Sequence, residues 1–432
     1  MIEVAPFKAY RLNDRDKKYD LSKFICPPYD VISEEEQKAL LALSPYNIVR
    51  LELPVGSGDQ KYVQVAATLR KWVDGDVIQR DRKASFYLLE TEFHTHDPFA
   101  AASKLKRYGV LVALRMQTPG KGFIRPHEKT LSKAKEDRLN LLNTVHTDMS
   151  PIFGLFFDKK KEWRKWVASV TKTKPMVHAT QKPDMRHHLW KIDHPGFQKR
   201  LRSMVKSKDL FIADGHHRYE VAWAYKEIRF KNEPEADLKQ GWHFVMTYIC
   251  PMEEPGLLML PTHRLVKSDR TWSAWIRYLD SCFEHEDLPN KKTLLDRLIK
   301  SDPTDRILGW ITTKGFHLLK LKKAMSIDRC LAYRPPALRS LDVVLLHDLI
   351  LEEPRGVQYE KDKTIFFTQD IDWMIQKTKE DSTWVGFVLR PVDVNALAQV
   401  ALAGEVMPPK TTYFYPKVPT GVTLMPLDQE IL

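Results

Sequence analysis

Leu210-Phe211-Ile212-Ala213-Asp214-Gly215-His216-His217-Arg218-Tyr219-Glu220-Val221-Ala222 is the stretch on which the fold turns. Four apolar residues predict a short buried strand, and the pattern from 218 to 228 predicts a helix. A strand that turns into a helix through Asp214-Gly215 points to an α/β protein with its chemistry at the turn. The amides of a helix N-terminus favour an anion. Gly215 lets the backbone approach that anion closely. His217 and Arg218 add donors and charge where phosphate oxygens would lie. Asp214 has the chemistry to hold Mg²⁺ or to orient a histidine. The same residues also suit a plain polar turn, with Asp214 capping the helix and the histidines in water.

Outward from this stretch, short strands and helices alternate. Strands are expected at 7–13, 48–53, 85–93, 108–116, 151–157, 244–250, 257–260, 306–311, 317–321, 364–368 and 384–389. Helices are expected at 34–43 (capped by Ser33), 62–73, 131–144, from 272, at 341–351 and at 392–403. The basic stretch 158–164 reads as a solvated face. The fold class is mixed α/β (α+β), not doubly wound, with a soft boundary at 266–270.

The chain has 432 residues, of which 43% are hydrophobic and 29% charged, a globular balance. Lys and Arg number 68 against 56 Asp and Glu, a net charge of +12 that favours anionic partners without naming one. No apolar run is long enough for a transmembrane helix. Residues 1–10 lack a charged then apolar pattern, so no secretory signal is expected. Cys26, Cys250, Cys282 and Cys330 form no CxxC pair, which fits reduced thiols and a cytoplasmic location. No P-loop, GxGxxG, HExxH or GxSxG pattern occurs, so the common nucleotide, zinc-protease and hydrolase templates are unsupported.

Four further constellations carry polar chemistry at element boundaries. Arg125-Pro126-His127-Glu128-Lys129-Thr130 offers Glu128 as a general base or metal ligand and His127 as a donor, or a capped helix start. Leu260-Pro261-Thr262-His263-Arg264 follows an apolar strand and aims Arg264 at a carboxylate or phosphate, or simply ends that strand. Met407-Pro408-Pro409-Lys410-Thr411-Thr412-Tyr413-Phe414-Tyr415-Pro416-Lys417 holds two lysines among prolines and aromatics. It reads as a rigid phosphate-contacting loop, a base-stacking surface or a packed terminal strand. Cys26-Pro27-Pro28-Tyr29-Asp30 places Asp30 to meet an amine, a metal or the following helix.

Taken together and in this order, these motifs, with Val31-Ile32, Asp137-Arg138 and Tyr219, resemble one bacterial and archaeal family long known only as a domain of unknown function (number ten-fifteen). The resemblance spans nearly the whole chain. It implies a ParB/sulfiredoxin-like nucleotide-binding core. Gly215-His216-His217-Arg218 is similar to the sulfiredoxin Gly-Cys-His-Arg loop, with His216 where the catalytic cysteine stands, which argues against sulfinic acid reduction. It further implies ATP-dependent phosphorylation of free L-serine to O-phospho-L-serine, with Mg²⁺. On that reading residues 1–265 hold the nucleotide, and residues 266–432 return a basic loop to the cleft. Glu128, His127, Asp214 and His216 are the candidate catalytic residues, with Asp214 also the metal ligand. Gly215, His217, Arg218, Lys410 and Lys417 would hold the nucleotide, and Asp30, His263 and Arg264 the amino acid. The alternatives are a nucleotide sensor without turnover and a ParB-like DNA-binding protein, for which no helix-turn-helix is evident. The expected partners are a nucleotide and a small amino acid, with no membrane or nucleic acid; a homodimer follows base rates.

Overall fold

The structure is a computed structural model that describes all residues except 96, 101–102, 129–131, 269, 352–362 and 432, and only the backbone at 132–134. Lys129, Thr130 and Leu131 of the motifs and helices above lie outside the described residues. The fold is mixed α/β.

A nine-stranded mixed sheet dominates. Across it run Ile124–Arg125, Leu210–Asp214, Ile152–Phe156, Phe244–Pro251, Lys104–Arg115, Phe86–His94, Met185–Ile192 and Val177–Lys182, with Val4–Ala5 added to Lys104–Arg115. Two pairings are parallel, Leu210–Asp214 with Ile124–Arg125 and Ile152–Phe156 with Phe244–Pro251; the rest are antiparallel. Phe244–Pro251 is buried along its whole length, as its near-continuous apolar run requires of a strand covered on both faces. Helix Gln60–Asp74 turns Tyr62, Val65, Leu69 and Trp72 inward at helical spacing. It packs on helix Ser132–Val145, which packs in turn on helix His216–Asn232.

A second, six-stranded antiparallel sheet has the order Phe283–Leu288, Gly315–Leu321, Ile307–Thr312, Trp384–Val388, His263–Lys267 and Ile365–Thr368. Its strand His263–Lys267 runs across the expected 265/266 division and into the stretch 266–270. The chain then returns to the first sheet. Thr412–Tyr415 pairs with Leu258–Pro261, Thr420 bridges to Cys26, and Met425–Pro426 pairs with Thr147–Asp148. This return places residues 407–417 against the large sheet.

Several expectations are corrected. Residues 48–53 are not a strand: Val49–Glu52 is a helical turn, because the Asn47 side chain accepts the Val49 N–H (3.0 Å) and donates to the Lys23 carbonyl (2.8 Å). The expected strand 7–13 is broken into the single bridge at Phe7 and the strand Tyr10–Leu12. The helix expected at 341–351 is Asp342–Leu346 followed by a wider π turn, His347–Leu351. In the stretch 158–164 only Lys159–Lys161 and neighbouring polar groups face water; Asp158 and Trp163 are buried, and Asp158 caps the helix Glu162–Val170 through the Trp163 N–H (2.9 Å). The helix after Gly215 starts at His216 and runs to Asn232, longer than its apolar pattern indicates. No helix among the described residues is long and apolar enough to cross a membrane. All four cysteines are free thiols.

Candidate functional site

The parallel register sets Leu210 beside Ile124 and Phe211 beside Arg125. Continued by three residues, it brings His127 and Glu128 to the same end of the sheet as Ala213 and Asp214. The returning tail closes the third side. Met407 donates its N–H to the His127 carbonyl (2.8 Å), and Met407 bridges to Glu128. Three segments far apart in sequence thus meet at the carboxyl end of one strand.

The turn itself depends on Gly215, which holds φ +86° as the N-cap of helix His216–Asn232 and supplies no side-chain cap. A Cβ there would sit 3.0 Å from Ile152 Cγ2 and 3.1 Å from Arg218 Cζ. The first-turn amides therefore face the site without a capping oxygen.

Asp214 is gripped from both sides. Lys417 Nζ donates to Oδ1 at 2.6 Å and Arg218 Nη2 to Oδ2 at 2.6 Å. Burial works to raise the carboxyl, but Lys417 and Arg218 hold it well below the usual carboxylate range. Burial also works against both cations, yet Asp214 and then Asp30 keep Arg218 and Lys417 above their ordinary values. Arg218 also donates to the Pro151 carbonyl, and Lys417 lies 4.8 Å over the Tyr413 ring. Asp30 is exposed on the 3₁₀ turn Tyr29–Val31, near enough for its charge to be felt by both cations.

Both oxygens of Asp214 already face cations. A Mg²⁺ placed there would meet two positive charges, so the side chain does not fit the role of metal ligand. Among the described residues no three His, Cys, Asp or Glu groups are grouped to hold a metal ion.

Beside Asp214, His216 Nε2 accepts the backbone N–H of His127 at 3.3 Å, and the two rings meet edge-on at 4.6 Å. His216 is therefore the Nδ1–H tautomer, and burial keeps it neutral. Burial likewise pushes His127 down to about 4; its Nε2 stands 3.1 Å from Thr412 Oγ1. Glu128 Oε1 accepts the Lys410 N–H at 3.3 Å. Burial raises the Glu128 carboxyl, with the Lys410 amide opposing. Lys410 is exposed and left-handed (φ +57°) at the tip of the loop. His217 is half-buried, and burial lowers it against the pull of Glu220.

Of the expected site residues, Asp30, His127, Glu128, Asp214, Gly215, His216, His217, Arg218, Lys410 and Lys417 come together. Arg264 reaches the same loop from behind: it is fully buried, with Nη1 on the Thr262 carbonyl (2.5 Å), Nη2 on the Pro409 carbonyl (3.3 Å) and Nε on His347 Nε2 (3.4 Å). Burial lowers it to about 9, with Glu128 opposing. His263 does not join the group. Its Nδ1 accepts the Leu389 N–H (3.2 Å), and its ring faces Phe99.

Arg107, Glu52 and Asp148 were not singled out from sequence; Arg138 was, as part of the Asp137-Arg138 motif. Arg107 holds the segment before Lys417 (Nη2 to the Pro416 carbonyl, 2.8 Å). Glu52, Arg138 and Asp148 line, with Tyr29, Ser150 and Arg218, a cavity of about 60 Å³ behind the turn. Glu52, flanked by Leu51 and Leu53, was the available signal.

A family model described as "Protein of unknown function (DUF1015)" matches residues 4–344. No curated protein matches this sequence. Among solved structures, a conserved hypothetical protein from Pyrococcus furiosus is 11% identical, covering 70% of this chain and 92% of its own, with TM-score 0.33. A free serine kinase in complex with AMP is 10% identical, covering 69% and 89%, with TM-score 0.33. SbnI with a C-terminal truncation, from Staphylococcus aureus, is 10% identical, covering 71% and 84%, with TM-score 0.33. Likeness at this level is too distant to carry function across.

Proposed function

The chain belongs to this DUF1015 family over most of its length, and from its site we propose that it is a kinase that moves the terminal phosphoryl group of ATP to a small hydroxyl acceptor, free L-serine. The observation that carries this reading is the turn at Asp214-Gly215: a helix N-terminus without a side-chain cap, faced by Lys417 and Arg218, with Glu128 alongside. Such a turn suits phosphate oxygens. Serine as the acceptor rests on the motif resemblance alone, as do the ParB/sulfiredoxin-like core in residues 1–265 and the supporting role of residues 266–432.

In this reading the helix amides, His217, Lys410 and Lys417 bind the phosphates. Asp214 holds Lys417 and Arg218 in place and is not the metal ligand. The acceptor hydroxyl oxygen attacks the γ-phosphorus. The new O–P bond forms as the bond from that phosphorus to the β,γ-bridging oxygen breaks, and ADP leaves. The hydroxyl proton passes to Glu128, whose raised carboxyl is a better acceptor than an exposed one. Asp30 meets the serine ammonium. Mg²⁺ bound to ATP would supply charge screening of its phosphates.

The test is turnover and ATP affinity of Glu128→Gln. A base role requires a rate loss of at least ~10² with ATP affinity kept. Unchanged turnover removes Glu128 from the role. ATP binding by the wild type without turnover on any hydroxyl acceptor would replace the kinase with a sensor.

A further inference from the structure

Two guanidinium groups, Arg107 and Arg264, are each 0% exposed, and neither forms a close ion pair with a carboxylate among the described residues, although the Glu128 charge is felt by Arg264. A buried cation without a counter-ion is unfavourable unless strong acceptors surround it. Each finds at least one of them in the 409–416 segment. Arg107, on strand Lys104–Arg115, donates to the Tyr415 carbonyl (3.4 Å) and the Pro416 carbonyl (2.8 Å), with Phe153 and Tyr248 rings at 5.0 and 5.5 Å. Its Nε has no partner. Arg264, on strand His263–Lys267, is anchored on the Thr262 carbonyl (2.5 Å) and His347 Nε2 (3.4 Å) and from there donates to the Pro409 carbonyl (3.3 Å), with Phe367 at 4.7 Å. The carbonyls held are those just before Lys417 and Lys410.

The two arginines come from different sheets, Arg107 from the nine-stranded and Arg264 from the six-stranded one. The segment they grip has only the strand Thr412–Tyr415 of its own. A lysine side chain has four rotatable bonds, so its ammonium is placed only as well as its backbone is. Fixing the carbonyl just before each lysine fixes where each side chain starts. An apolar residue in place of either arginine would fill the space but leave those carbonyls without a donor.

We infer that Arg107 and Arg264 are positioning residues that clamp the 409–416 backbone, so that the Lys417 ammonium meets Asp214 and the Lys410 backbone N–H meets Glu128 before any anion arrives. The gain is preorganisation: the loop is ordered on folding rather than on binding. The consequence for nucleotide affinity rests on the phosphate-site reading above; the clamp is tested apart from it.

The experiment compares wild type, Arg107→Met, Arg107→Lys and Arg264→Met without ligand, by amide exchange and by acylation of Lys417. In wild type the Lys417 amine is shielded by Asp214 and reacts slowly. Arg107→Met should speed Lys417 acylation and exchange at 413–418 by at least about tenfold, with strand Lys104–Arg115 still protected. Arg107→Lys keeps the charge but lacks the planar fork that spans two successive carbonyls, so it should behave like Arg107→Met. Arg264→Met should loosen 410–412. ATP affinity should fall at least about tenfold in all three. Unchanged local exchange and acylation overturns the clamp. So does full restoration by Arg107→Lys, which would mean that charge alone matters, or loss of protection spread evenly over the large sheet. If Arg107→Met does not fold, Arg107→Lys and Arg264→Met decide by the same readouts. If wild type binds no ATP while exchange and acylation respond as expected, the kinase reading falls and the clamp stands.

Discussion

Lys417 Nζ lies 2.6 Å from Asp214 Oδ1, a contact between residues 203 positions apart in the chain. It ties the C-terminal loop to the strand–helix turn and leaves Asp214 as the hub of the site. Lys417→Met should therefore do two things. It should leave Asp214 buried with Arg218 alone, costing about 3 kcal/mol in denaturant unfolding. It should also weaken ATP binding at least about tenfold by titration calorimetry. Unchanged stability and affinity together would remove Lys417 from the site.

Gly215→Ala tests the turn. The added Cβ meets Ile152 and Arg218 at 3.0–3.1 Å while φ stays at +86°. Strain of about 1–3 kcal/mol is expected in the unfolding free energy, together with loss of nucleotide affinity as Arg218 is pushed from Asp214. A fully stable variant with wild-type affinity would mean that the backbone is not held in this conformation.

The strand–turn–helix at 210–228 was legible because its signals agree: an apolar run, Asp-Gly, then helical spacing. So were most strands of the large sheet, whose buried runs are long and apolar. The helical turn at Val49–Glu52 was not, because Ile48-Val49-Arg50-Leu51 has strand-like composition and the deciding contact is the tertiary hold on Asn47. The hairpin Val177–Lys182 with Met185–Ile192 passed unnoticed because lysine and histidine interrupt its alternation. At the site, the residue types were readable but not their partners. Asp214 was expected to face a metal, and it faces Lys417 and Arg218. Arg264 was expected to face substrate, and it holds backbone carbonyls. Sequence reports what a side chain can do, and long-range register decides which neighbour it meets.

Asp148 gives a pH-dependent prediction. Burial raises its carboxyl to about 7, although it accepts the Met246 N–H at 2.8 Å. Its folded value lies above its unfolded one. The neutral form therefore supports the fold fully below about pH 4, and that support is lost as pH rises towards 7. Asp148→Asn keeps an acceptor for Met246 without the charge, so it should stabilise the protein by about 1–3 kcal/mol at pH 8 and by little at pH 4. Equal effects at both pH values would contradict this.

The buried histidines act in the opposite sense. Burial lowers His127 to about 4 and His187 and His263 to about 3. Their contribution is whole above about pH 6.5 and fades as pH falls through 4 to 3, because the unfolded chain takes up protons first. Three such groups outweigh Asp148, so the melting temperature should drop steadily from pH 6.5 to 4. A flat profile over that range would show that these rings are not buried neutral.

The most direct measurement is mass spectrometry of O-phospho-L-serine after incubating the protein with ATP, Mg²⁺ and free L-serine. Wild type should form the product, Glu128→Gln should form at least ~10²-fold less, and Lys417→Met should fail at sub-saturating ATP. Absence of both product and ATP binding in the wild type would contradict the assignment of the Asp214-Gly215 turn as a phosphate site, and with it the kinase.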